Sequence, residues 1–333
     1  MKFKTIAVCI ALLMATLNFL TEGPVSAQAE KINVVATTTQ AADAVRIIAG
    51  DKVNLTGLMG AGVDPHLYKP TEADIRAMNE ADLVIYSGLH LEGQFDKVFE
   101  ALGERSIRTY PLSDPVKNAG YVIETLDAKG ASAHDPHFWF DPRNWAMAVE
   151  GVAEVLAETD PANGDLYRAN AKAYSADLDL LYQWSLEAMS GVPEDKRILI
   201  TSHDAFQYFA AAFGWKVVAV QGISTAAEAS VSDIQKVAKA IMDSGIPVIF
   251  VESSVPHRTI EAVIESARAQ GGKVRTGIRD LYSDAMDAPD KYGGTYIGMF
   301  THNVATIVRS FEVELPVYPE TLAPKPAAEL IAQ

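Results

Sequence analysis

The chain has 333 residues, 43 acidic side chains against 28 basic ones, and a formal charge of −15. That balance argues against the basic surface that nucleic acids and anionic membranes require. A chain of this length usually exceeds what one core holds, which favours two domains.

Residues 1–27 have the grammar of a cleavable leader. Lys2 and Lys4 open it, Ile6 to Leu20 is apolar, and Val25-Ser26-Ala27 supplies small residues before a cut after Ala27. The apolar run is too short and wrongly flanked to span a bilayer. Val8 precedes Cys9 and almost no apolar run lies upstream, so the expected product is a soluble, exported protein without a lipid anchor. Cys9 is the only cysteine and leaves with the leader, which excludes disulfides and thiolate metal sites from the mature chain. Lys2, Lys4 and Glu22 give the leader +1, so the mature charge falls from −15 to −16.

From Ile32 short β-branched runs alternate with helical periods. Ile32 to Ala36 reads as a strand and Ala41 to Ala49 as a helix closed by Gly50. Val53 to Met59 reads as a second strand, and Thr71 with Asp74 as the capping box of the next helix. Leu83 to Tyr86 and Ile107 to Leu112 are further strands around a helix from Gln94 to Leu102, with a less regular segment from Ser113 to Ala133. Asp165 to Met189 breaks the rhythm: it has no glycine or proline, and Tyr167, Ala171, Tyr174, Leu178 and Leu181 recur at helical spacing. At ~1.5 Å per residue it would form a rod of about 38 Å, long enough to connect two lobes. The alternation then resumes, with strands at Arg197 to Thr201, Lys216 to Val220, Val248 to Glu252 and Val274 to Ile278. Helices are expected at Ala205 to Ala212, after the Ser230–Asp233 capping box, at Thr259 to Ala269 and up to about Arg309. This βαβα order implies α/β lobes, each a mostly parallel sheet flanked by helices. The expected organisation is a lobe at 28–163, a linking helix at 164–190, a second lobe at 191–309 and a proline-rich tail at 310–333, either laid over the surface or partly disordered.

The tripeptide Asp-Pro-His occurs twice, at Asp64-Pro65-His66 and Asp135-Pro136-His137. Proline fixes its own φ and pushes the preceding residue toward extended geometry, so each histidine sits on a stiff loop suited to a preorganised metal ligand. The bland alternative is two surface turns sharing a tripeptide by chance. His66, His137, His203 and Asp284 all fall in loops that follow strands or precede helices, two in each expected lobe, and open parallel sheets gather ligands at the carboxyl ends of their strands. Three imidazoles and a carboxylate suit Zn²⁺, Mn²⁺ or Fe²⁺, and a carboxylate binding through both oxygens would give the five-coordination that Mn²⁺ tolerates. Glu252 reads as a support for the cleft, Asp64 and Asp204 as partners behind the ligands, and His90, His134, His257 and His302 as surface or capping histidines. Ser202-His203-Asp204 holds the letters of a hydrolase triad, but adjacent residues cannot adopt that geometry.

Several stretches resemble one family in the expected order: Asp64-Pro65-His66-Leu67-Tyr68, Asp135-Pro136-His137-Phe138-Trp139-Phe140-Asp141, Ser202-His203-Asp204-Ala205-Phe206, Gln221-Gly222-Ile223-Ser224-Thr225 and Ser283-Asp284-Ala285-Met286. They are similar to the periplasmic metal receptors of zinc, manganese and iron ABC importers, the Tro-type pattern above all, from about Ile32 to Arg309. The resemblance implies two similar α/β lobes joined by one rigid helix and a metal held between them. Its ligand positions fall on His66, His137, His203 and Asp284, with one Mn²⁺ or Zn²⁺, or Fe²⁺, as transported cargo and a membrane permease as partner; a monomer is expected. Two features depart from the specialised types: Ser113 to Ala133 lacks the histidines of dedicated zinc receptors, and His203 stands where many manganese receptors have Glu. The competing class is a metal-dependent hydrolase using the same cluster, which would need an open coordination position for water and a nearby base.

Overall fold

The computed structural model describes residues 30–126 and 131–331; the leader and its cut after Ala27 lie outside them. The first lobe alternates β1 (Asn33–Ala36), α1 (Thr39–Ala49), β2 (Asn54–Gly57), α2 (Glu72–Asn79), β3 (Leu83–Tyr86), α3 (Asp96–Glu104) and β4 (Arg108–Pro111). The four strands form a parallel sheet in the order β2-β1-β3-β4, with Val34 opposite both Leu55 and Leu83. Alternate residues of a strand face opposite sides, and here both sides are covered. Val34, Ala36, Leu83 and Ile85 join the main core, whereas Val35 and Val84 pack with Met59, Met78 and Phe95 on the other face. Helix starts follow side-chain chemistry: the Thr38 hydroxyl accepts from Ala41 N, and Thr71 and Asp74 form the expected capping box.

Beyond β4 come α4 (Asp114–Asn118) and a small antiparallel pair, β5 (Glu124–Leu126) and β6 (Ser132–His134), in the stretch that sequence left irregular. An unanticipated 18-residue helix, α5 (Pro142–Thr159), follows the second histidine loop. Its start is written locally, since Asp141 accepts from Arg143 N and proline occupies the first turn. The long helix α6 (Gly164–Ser190) buries Tyr167, Ala171, Tyr174, Leu178, Leu181 and Trp184 against α5, α1 and a later helix, so it is a packed element rather than a bare rod.

The second lobe repeats the alternation with β7 (Ile198–Thr201), α7 (Gln207–Phe213), β8 (Lys216–Ala219), α8 (Val231–Ser244), β9 (Val248–Ile249), α9 (Arg258–Ala269), β10 (Arg275–Thr276) and α10 (Tyr296–Ser310). β7 pairs with β8 and β9 with β10, all parallel, and a bond from Phe250 N to Ile200 O (2.7 Å) connects the two pairs. Regular pairing in β9 and β10 is shorter than the β-branched runs suggested, although a parallel bridge between Glu252 and Leu281 carries the trajectory onward.

Aromatic side chains join the lobes beneath the site. Tyr296 stacks on Trp145 (4.9 Å between centroids) and donates its hydroxyl to Trp139 O (2.6 Å), and Phe140 stacks on Phe206 (4.4 Å). Past α10 the chain runs against α6, where Tyr318 meets Trp184 edge-on, Trp184 Nε1 donates to Pro316 O, and Leu322 is buried. A short helix, α11 (Ala328–Ile331), follows, and Arg309 donates to the carbonyls of Glu329 and Leu330.

Candidate metal centre

Each candidate ligand sits in a loop that follows a strand or bridge, and each loop is set by a carboxylate or by main-chain contacts. In the loop between β2 and α2, Asp64 Oδ1 accepts from His66 N (2.9 Å), closing a turn around Pro65. The second copy of the tripeptide repeats the device: Asp135 Oδ1 accepts from His137 N (2.9 Å) and also from His137 Nδ1 (2.7 Å). His203 follows β7, and Glu252, at the end of the β9 run, holds it from the neighbouring strand through His203 N (2.9 Å) and Nδ1 (2.5 Å). Asp284 follows the Leu281 bridge. The segment around it is pinned to the first lobe by Met286 N donating to Thr39 Oγ1 (2.8 Å) and by Gln40 Nε2 reaching Ser283 O (3.4 Å).

These loops bring one donor atom from each of His66, His137, His203 and Asp284 to within 4.8 Å of one another. Asp284 Oδ1 lies 3.3 Å from His137 Nε2, and Asp284 Oδ2 lies 3.1 Å from His203 Nε2 and 3.6 Å from His66 Nε2. All four residues are buried, with His66 the most exposed at 5%. Their three Nε2 atoms and both Asp284 oxygens have no hydrogen-bond partner. Five buried polar atoms converging without partners are costly unless something they coordinate sits among them. A divalent ion about 2.0–2.2 Å from each donor fits that spacing and the N₃O chemistry. The split facing of the two Asp284 oxygens also permits binding through both.

The surrounding charges set the protonation of the metal-free chain. Burial would lower the His137 imidazolium, but the Asp135 and Asp284 carboxylates outweigh it and hold its pKa at about 9. Burial acts likewise on His203, where Asp284 and Glu252 raise the pKa well above the usual value. Asp284 is held well below the carboxylate range because His203 and His137 overcome its desolvation. His66 differs: burial dominates and lowers it to about 3, with no carboxylate on its ring's other nitrogen among the described residues.

The remaining candidates lie elsewhere. His90 faces Asp96 on the surface, His134 lies in β6, His257 pairs with Asp280, and His302 Nε2 meets Asp280 O. Asp64 does brace a candidate ligand's loop, but the Asp204 side chain instead accepts from Gln207 Nε2 (2.7 Å). Asp135 escaped sequence reading as a support, although its place in the repeated tripeptide was the available signal.

A family profile described as "ZnuA: Zinc-uptake complex component A periplasmic" matches residues 34–310. The manganese-binding lipoprotein MntA of Bacillus subtilis (strain 168) is 40% identical over 283 residues, covering 85% of this chain and 90% of its own. The zinc-binding protein TroA of Treponema pallidum (strain Nichols) is 41% identical over 276 residues, covering 83% and 87%. The solved structure of the Treponema pallidum periplasmic zinc-binding protein TroA superposes with a TM-score of 0.80 at 39% identity, over 85% of this chain and 99% of that one. The Fe(III)-bound YtgA of Chlamydia trachomatis gives a TM-score of 0.76 at 25% identity, over 86% and 100%.

Proposed function

The chain belongs to the ZnuA family of periplasmic metal-uptake components, and on that premise we propose that it is a non-catalytic receptor that captures one divalent metal between its lobes and delivers it to the permease of an ABC importer. The observation that carries this reading is the set of four buried side chains, two from each lobe, whose donor atoms converge without hydrogen-bond partners. In this reading His66, His137, His203 and Asp284 are the ligands.

Mn²⁺ comes first as cargo, with Zn²⁺ close behind and Fe²⁺ third. Zn²⁺ binds more tightly than Mn²⁺ at nearly any nitrogen and oxygen site, so selection in the cell rests on availability and on which loaded form the permease accepts. The two-oxygen facing of Asp284 favours the higher coordination that suits Mn²⁺. A hydrolase would need an open position and access for its substrate, whereas these four residues are 0–5% exposed.

Delivery proceeds by loop movement. Separating the lobes widely would expose Trp139, Phe206 and Tyr296, all now buried. Aromatic side chains bury about 150–250 Å² each, and at ~25 cal/mol per Å² each would cost roughly 4–6 kcal/mol to expose. The chain acts as a monomer, and the basic start, apolar run and small residues Val25-Ser26-Ala27 support export with a leader cut after Ala27. Because MntA is named a lipoprotein, mass spectrometry of the N-terminus of the exported protein is the decisive measurement there: an N-terminus after Ala27 supports the unlipidated form, and an acylated cysteine refutes it.

The central test is metal analysis of protein purified without chelator or added metal, followed by titration with Mn²⁺ and Zn²⁺. One tight equivalent per chain is expected; none, or two or more, refutes the single-site reading.

A further inference from the structure

His137 and His203 are each braced at Nδ1 by a buried carboxylate from their own lobe, Asp135 and Glu252. His66, the most exposed of the candidate ligands, has no such brace on its ring among the described residues. It is aimed through its main chain, by Asp64 Oδ1. The other oxygen of Asp64 reaches across the cleft and accepts from Thr225 Oγ1 at 2.6 Å, 161 residues further along the chain. Thr225 lies between β8 and α8 and is the single buried residue from Gln221 to Ser230. The base of that loop is tied on both sides of His203: Gln221 N donates to Ser202 O (2.9 Å) and Asp204 N donates to Gly222 O (3.3 Å). A path of hydrogen bonds joined by the main chain from Gln221 to Thr225 therefore runs from the segment of His203, through Thr225 and Asp64, to the main chain of His66.

We propose that the Thr225–Asp64 hydrogen bond is a latch between the lobes that holds the His66 loop closed on the bound metal, and that metal leaves when it opens. The proposal rests on the receptor reading above. Among the described residues the Thr225 hydroxyl is bonded to Asp64 and not to a candidate ligand side chain, so Thr225 is a positioning residue. A hydroxyl-to-carboxylate bond is charge-assisted, and its loss corresponds to roughly tenfold or more in a rate that depends on it. The loop it holds has no other bond to the second lobe among the described hydrogen bonds. Opening it moves one ligand while leaving the aromatic contacts beneath the site intact, which suits release without wide separation of the lobes.

The test compares the wild-type mature chain with Thr225→Val and Thr225→Ser, each loaded with Zn²⁺ and mixed rapidly with excess chromogenic chelator to read dissociation; association is measured separately. The latch predicts roughly tenfold or faster dissociation for Thr225→Val, an unchanged association rate, and wild-type behaviour for Thr225→Ser. Dissociation within twofold of wild type for the valine variant overturns the latch, as does equal acceleration in the serine variant. A loss seen only in association would also overturn it, by assigning Thr225 to assembly of the site. Thr225→Ala supplies a second chain without the hydroxyl should the valine variant fail to fold. Failure of the wild-type chain to bind Zn²⁺ would overturn the receptor reading itself, a result distinct from failure of the latch.

Discussion

Replacing Glu252 by glutamine keeps the side chain's shape while removing the charge behind His203. Both Glu252 oxygens are engaged, one by His203 N and the other by His203 Nδ1, in a fully buried position. A carboxylate accepts from both; an amide accepts through its oxygen and donates through its nitrogen. In Glu252→Gln, an amide oxygen turned toward His203 N leaves the NH₂ facing Nδ1. The imidazole then has to accept there and carry its proton on Nε2, the nitrogen required by a metal. The reverse orientation sets two N–H donors against each other at the main chain. Either way a charge-assisted hydrogen bond contributing about 1.5–3 kcal/mol is lost. Supports behind metal-ligating histidines typically change affinity by about 10–100-fold, equivalent to roughly 1.4–2.7 kcal/mol. The two estimates overlap, so the expected result is a 10–100-fold weaker Zn²⁺ complex at pH 7.5. Competition against a chelator of known affinity measures it, with the circular dichroism spectrum checked for an unchanged fold. Affinity within threefold of wild type would refute the tautomer reasoning and leave Glu252 as packing alone.

Asp284→Ala should reduce Mn²⁺ affinity by a larger factor than Zn²⁺ affinity, because hard Mn²⁺ gains more from carboxylate oxygen. Calorimetry with both metals decides this, and an equal or larger loss for Zn²⁺ sinks it. Metal uptake near pH 7 should release more than one proton per chain, since the raised pKa values of His137 and His203 keep both protonated in the metal-free state. Calorimetry in buffers of different ionisation enthalpy reads that number, and zero net release contradicts it. The sign for folding is set by the same shifts: a histidine raised to about 9 stabilises the metal-free fold fully below its unfolded pKa near 6.5. That contribution fades as pH rises from about 6.5 through 9. His66, lowered to about 3, acts oppositely and costs stability as pH falls below about 6.5. Metal-induced gain in Tm should therefore shrink steadily from pH 8 to pH 5; a constant gain would count against three imidazole ligands.

Local chemistry made much of this protein legible in its residues. Thr71 with Asp74 and Ser230 with Asp233 mark helix starts because a cap bonds within three positions. Likewise, the buried runs at Val34 to Ala36 and Leu83 to Ile85 declare a sheet covered on both faces. The two Asp-Pro-His loops could be read as aimed histidines because Asp64 and Asp135 act on a residue two positions away. The same locality could have revealed α5, whose Asp141 and Pro142 form an ordinary helix start. Other assignments depended on pairings between distant segments. Glu252 meets His203 across 49 residues, Thr225 meets Asp64 across 161, and Met286 is pinned to Thr39 across 247. No local pattern encodes such partners, because each arises only when the lobes pack and the strand ends converge. Residue types and turns thus specified which side chains were equipped to bind a metal, while tertiary packing decided that Glu252 braces His203, how the clustered side chains are protonated, and that His66 is the most exposed of the four candidate ligands.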